Sequence, residues 1–165
     1  MLKHSLPTYQ RMELEPSSEI KVGAPYKQVC LGVLGKRDDI TRDDFFEKIM
    51  HPLMESLGRL PDKIYLPSDG MTSALVGAWA DRCNVPTETL TAEWHRLGRK
   101  AVCLRDSRIL KSSSHLLVFE QPKSEYTVKL GIREFKKGKS VFSISPGKAW
   151  ELMEWEPEKT CKVNL

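Results

Sequence analysis

The sequence predicts an α/β fold of Rossmann-like type: a three-layer sandwich of about five mostly parallel strands with helices on both faces. Three observations predict it. Short, nearly continuous apolar runs recur at 28–34, 63–66, 115–119 and 140–145, as strands buried on both sides require. Segments with helical spacing separate them. The chain has 165 residues, 40% of them hydrophobic, which is enough for one such core.

The elements follow in order. Residues 1–26 show no sustained periodicity and carry Pro7, Pro16 and Pro25, so they read as an arm. The first strand ends at Gly35 and a charged turn. Thr41 suits a helix N-cap, with Asp43 and Asp44 where the helix dipole favours negative charge. Phe45, Ile49, Leu53 and Leu57 draw an apolar stripe. Pro52 inside it predicts a kink or break, and Gly58 a stop. A second strand at 63–66 leads through a turn at 67–70 into a helix over 72–83. Leu75, Val76, Trp79 and Ala80 line one side of that helix. A weak strand at 87–90 and a long polar connection at 91–100 precede a helix over about 101–111. The strand at 115–119, a helix over 125–137 and the strand at 140–145 complete the unit, which Pro146 and Gly147 stop. The predicted organisation is an arm at 1–26, a Rossmann-like domain at 27–146 and a C-terminal extension at 147–165. Trp150, Met153 and Trp155 in that extension suit either a cover for the sheet edge or a contact with a second copy, making a homo-oligomer.

Composition excludes several classes. The 26 Lys and Arg against 22 Asp and Glu leave a net charge of +4, too small for a nucleic-acid-coating surface. No apolar run approaches the roughly 18 residues of a membrane span. The N-terminal stretch lacks the apolar segment of a secretory signal. Cys30, Cys83, Cys103 and Cys161 are scattered, with no metal-ligand spacing, so reduced thiols in a cytoplasmic protein are expected, with neither metal nor cofactor.

In such a sheet the ligand crevice lies beyond the carboxyl ends of the strands, which directs attention to four loops. The first holds Gly35, Lys36, Arg37 and Asp38: a glycine for close backbone approach and two cations suited to phosphate. It has neither dinucleotide nor P-loop spacing. The second, with Ser68, Asp69, Gly70, Thr72 and Ser73, opens a helix whose free N–H groups suit an anion, although Asp69 puts a negative charge there. The third is the most basic. Arg96, Gly98, Arg99 and Lys100 precede a helix carrying Arg105 and Arg108, and cations near a helix N-terminus oppose its dipole unless an anion offsets them. The fourth, 120–125, has no glycine. Glu120 and Glu125 there are the candidates for acid–base work.

These residues carry a resemblance. From about Val29 to Ile144 the chain resembles the YspA-type branch of the SLOG superfamily, Rossmann-like domains related to DprA and the LOG phosphoribohydrolases. The branch's Gly-Ser-Arg-Asp turn reads Gly35, Lys36, Arg37, Asp38 here, and its Trp-Ala helix end keeps Leu75, Trp79 and Ala80. Its third element matches Glu93, Trp94, Gly98, Ala101, Arg105, Asp106, Ile109 and Leu110. The chain departs from it at Pro67 and Ser68, which replace a glycine pair, with Gly70 and Ser73 where Arg and Asp stand in the branch. It departs again at 120–127, where the superfamily's phosphate-binding glycines are missing and Leu130 stands where the LOG enzymes carry a Glu.

The resemblance implies a binding protein for a nucleotide or nucleotide-derived phosphate ligand, without intact phosphoribohydrolase activity. Arginine forks give it a physical basis, and Trp94 or Tyr126 offers a ring to stack on a base, although core packing is the expected role for Trp94. The alternatives are a nucleotide hydrolase acting at the N-glycosidic or phosphate bond, and a degenerate domain acting through protein contacts. No membrane or nucleic-acid partner is expected.

Overall fold

Cys30–Leu34 form β1, the strand on which the fold is centred. It pairs in parallel with β2 (Lys63–Pro67) on one side and β4 (His115–Phe119) on the other. β3 (Thr87–Leu90) extends the sheet beyond β2, and β5 (Ser140–Ile144) beyond β4, both in parallel. A sixth strand, β6 (Leu152–Glu154), pairs antiparallel with β5, giving the order β3-β2-β1-β4-β5-β6. This computed structural model describes residues 27–145 and 150–156. The arm, the stop at Pro146 and Gly147, and Cys161 fall outside the described residues.

The five-strand expectation thus holds for the parallel part, and the extension supplies one strand more. Its aromatics turn inward. Trp155 stacks edge-on against Phe135 at 5.5 Å and donates Nε1–H to Ser143 Oγ at 2.9 Å. Trp150 packs against the core, whereas Met153 stays about half exposed.

Strand alternation divides the core into two layers. Leu31, Val33, Ile64, Leu66, Leu117 and Phe119 pack on one face, against α1 and α2. α1 starts at Arg42–Phe45, passes through a π-helical turn at Phe46–Met50 and continues over His51–Leu57; α2 is Met71–Cys83. Leu34, Leu116, Val118 and Val141 pack on the other face, against Ile109 and Leu110 of α4 (Ala101–Ser112) and the flank of α5 (Tyr126–Lys136). α3 is a single turn, Trp94–Leu97, followed by a 3-10 turn at Gly98–Lys100, in the stretch that reads in sequence as a polar connection.

The local signals act as chemistry dictates. Thr41 caps α1, its Oγ1 accepting Asp44 N–H at 3.2 Å, and Gly58 ends it in the left-handed region at φ 76°. Pro52 does not break the helix. A proline there cannot donate to the carbonyl four residues back, and the wider π turn just before it absorbs that missing bond. Among the described residues no helix is long and apolar enough to cross a membrane.

Glu134 ties the second layer together. Its carboxylate is 3% exposed, near the C-terminus of α5 where a negative charge opposes the dipole. Lys139 meets it at 2.8 Å, and Lys137 and Arg133 at 3.1 Å each. Lys139 also donates to the Leu110 carbonyl at the end of α4. Burial raises the carboxyl's pKa, but the hydrogen bonds from the three cations outweigh it and hold it at about 2. A depressed carboxyl contributes stability above its unfolded value that is lost as pH falls. Glu134→Gln should therefore destabilise the fold by about 2–3 kcal/mol at neutral pH. In urea melts the gap between variant and parent should close as pH drops from about 4.5 towards 2. A constant gap across that range would show that the ionised carboxylate is not the source.

Candidate functional site

The strand order reverses between β1 and β4, so the crevice expected of a doubly wound sheet opens beyond their carboxyl ends. Gly35 closes β1 with φ 81°, and a Cβ on it would lie 2.5 Å from the Phe119 carbonyl oxygen. Only glycine lets the two strand ends approach this closely. Gln121 Nε2 donates to the Lys36 carbonyl at 2.7 Å, and Thr127 Oγ1 to the Phe119 carbonyl at 3.1 Å. Both strand-end loops are thereby fixed. Across the crevice the second loop meets the first at Gly70, φ 98°, where a Cβ would lie 3.0 Å from the Lys36 side chain.

A chain of charges crosses the crevice. Asp69 Oδ2 meets Lys36 Nζ at 3.3 Å, and its Oδ1 meets Arg105 Nη1 at 2.8 Å. Arg105, 9% exposed, also holds Asp106 Oδ1 through Nε at 3.1 Å. Tyr126 then donates its hydroxyl to Asp106 Oδ2 at 2.9 Å. Three cross-sheet segments and the start of α5 are joined by carboxylates that alternate with donors. Burial lifts the Asp69 carboxyl, yet Arg105 and Lys36 prevail and hold it below its ordinary value. In the more deeply buried Asp106, desolvation prevails over Arg105 and Tyr126, and its pKa is raised. Burial and the neighbouring Asp106 charge also raise Tyr126, keeping the phenol a donor.

Beyond Arg105 a cleft of about 430 Å³ opens between the end of β3, α3 and α4. Its walls carry Glu93, Arg96, Leu104, Arg105, Arg108 and Lys111. Arg96 is paired with Glu93 at 2.7 Å. Among the described residues, no carboxylate lies within ion-pairing range of Arg108 or Lys111. Lys111 escapes a reading by loops because it sits far along α4. Its three-residue spacing from Arg108 was the signal that could have found it.

The structure gathers only part of the sequence-predicted set. Lys36, Asp69, Gly70 and Arg105 share the crevice, while Arg96, Arg105 and Arg108 share the cleft. Arg37 turns to the C-terminal segment, stacking on Trp150 at 4.7 Å and donating to the Ser145 carbonyl at 3.4 Å. Ser68 is exposed, its N–H bonded to Leu90 O. Gly98, Arg99 and Lys100 are exposed in the 3-10 turn. Thr72 is fully buried, and its Oγ1, like Ser73 Oγ, has no hydrogen-bond partner among the described residues. Glu125 is exposed and pairs with Lys129 at 3.7 Å; Glu120 follows β4, its N–H held by Ile144 O. Among the described residues no group of three or more His, Cys, Asp or Glu could hold a metal ion. Trp94, expected in the core, is instead exposed on α3, next in sequence to Glu93.

No family model, no curated protein and no solved structure matches this chain.

Two outcomes follow from this geometry. Gly35→Ala should cost at least about 2 kcal/mol, because its Cβ strikes a backbone carbonyl in a left-handed conformation. A chemical melt unchanged from the parent would refute the close approach. Tyr126→Phe removes a donor that favours the Asp106 carboxylate, so the Asp106 pKa, already raised, should rise further in a carboxyl NMR titration. Because a raised carboxyl pKa means the folded state takes up the proton more readily, stability in both proteins should fall as pH rises through that window. The fall should extend to higher pH in the variant. An unmoved titration would mean the phenol does not bond the carboxylate in solution.

Proposed function

We propose that this chain binds a nucleotide or nucleotide-derived phosphate ligand, without phosphoribohydrolase activity. The observation that carries the reading is the cleft beside α4, where Arg96, Arg108 and Lys111 line a space of about 430 Å³. That volume suits a small molecule, and guanidinium forks suit phosphate oxygens. Arg105, held by its two carboxylates, lines the same wall. Exposed Trp94, next in sequence to Glu93 of the cleft wall, offers a ring face for a base. The resemblance to the SLOG superfamily supports the same ligand class. The loop after β4 supports binding over hydrolysis. In place of a glycine-rich phosphate turn it has a tight bridge between Gln121 and Ser124.

Calorimetric titration of the full chain with AMP and ADP tests this. At least one should bind, and Arg108→Glu should weaken it tenfold or more, the equivalent of losing one charge-assisted contact. No binding of either nucleotide, or binding indifferent to Arg108→Glu, would sink the reading. Base release from AMP that Glu120→Gln or Glu125→Gln abolishes would replace binding by catalysis.

A further inference from the structure

We infer that Glu93 recognises the sugar of the ligand: its carboxylate accepts hydrogen bonds from ribose hydroxyls, so the chain selects a ribonucleotide over a nucleotide whose sugar lacks those hydroxyls. This rests on the phosphate-ligand reading above.

The cleft wall is not uniformly basic. Glu93 stands on it with Arg96, Arg108 and Lys111, and among the described residues it is the one carboxylate there. Its Oε1 accepts Arg96 Nε–H at 2.7 Å, while Oε2 has no hydrogen-bond partner among the described residues. The side chain is 45% exposed, so a ligand can reach it. The hydrogen bond and charge of Arg96, with Arg108 contributing less, hold the carboxyl below its ordinary value. Glu93 is therefore ionised at neutral pH, and an ionised carboxylate only accepts. The other carboxylates nearby are engaged. Glu88 of β3 also feels Arg108 but is paired with Lys63 at 2.8 Å, and Asp69 and Asp106 are held by Arg105.

Phosphate oxygens are drawn to Arg108 and Lys111 and repelled by Glu93. A ligand that carries an anion at one end and hydroxyl donors beside it suits both. A nucleotide has the order base, sugar, phosphate, and the chain offers partners in the same order. Exposed Trp94 follows Glu93 directly in sequence, and Glu93 lies within the electrostatic reach of Arg108. With the base on Trp94 and the phosphate at Arg108 and Lys111, the ribose falls at Glu93. Its hydroxyls donate to Oε2, while Oε1 keeps Arg96 in place.

Calorimetry on the full chain compares AMP and ADP, each with its 2′,3′-dideoxy form, and includes inorganic phosphate. Whichever ribonucleotide binds should do so at least about tenfold more tightly than its dideoxy form, since a hydroxyl loses a charged acceptor. Glu93→Ala should bring the two forms within about twofold by weakening the ribonucleotide. Inorganic phosphate should bind that variant as tightly as the parent or more tightly, because a repelling charge has gone. Equal affinities for the two forms in the parent would overturn the inference, while binding that still responds to Arg108→Glu would leave the ligand reading standing. Tighter ribonucleotide binding in Glu93→Ala would overturn it by making Glu93 a repelling charge only. A weakening shared by all the ligands would overturn it by making Glu93 a support for Arg96 only. Absence of all nucleotide binding would remove both the inference and the reading beneath it.

Discussion

A guanidinium does not shed its proton inside a protein, so a buried one must be met by anions. Arg105 is nine-tenths buried where α4 crosses the sheet, and that requirement organises everything near it. Asp106, its chain neighbour, takes one edge; Asp69, from the loop after β2, takes another and brings Lys36 along. Tyr126 then satisfies the remaining oxygen of Asp106. Four chain segments are held at one end of the sheet by a single residue's need for charge. The same need decides which cations remain available. Lys36 and Arg105 look like phosphate ligands in sequence, but they are engaged with the chain's own carboxylates. Further along α4, Arg108 and Lys111 make no ion pair among the described residues, although the charge of Arg108 is felt by Glu88 and Glu93.

Sequence patterns reveal the sheet well because its strands are buried on both faces. Continuous apolar runs such as Leu116, Leu117, Val118 and Phe119 have no other economical reading. Caps are equally legible where a short side chain or a glycine does the work, as at Thr41 and Gly58. What stays hidden depends on contacts between distant segments. The break expected at Pro52 does not occur: the helix runs on from a π turn just before it, in which Phe46, Ile49 and Met50 are buried. β6 escapes notice because three residues carry too little alternation to show.

The candidate site is less legible than the fold, for a physical reason. A basic residue's sequence neighbours do not disclose its electrostatic partner. Asp69 is 36 residues from Arg105 and 33 from Lys36. Asp69 read alone as a weakness in an anion site, and in three dimensions it is the site's internal occupant. Arg37 shows the converse. Placed in sequence beside Lys36, it faces the other way, and its guanidinium covers Trp150. A turn that looks like one phosphate-binding unit is divided between two duties, one in the crevice and one securing the C-terminal segment.

The central position of β1 has a kinetic consequence. Its partner on one side, β2, follows within a short helical crossover, but on the other side Cys30 bonds to Ser114, 84 residues away. The β1–β2 half can form from nearby chain, whereas joining it to the β4–β5 half requires closing a loop that spans most of the domain. Loop-closure entropy makes such long-range parallel pairing slow. The two halves therefore meet late in folding, at the seam where Gly35 lies against Phe119. The crevice is completed by the same step that completes the sheet.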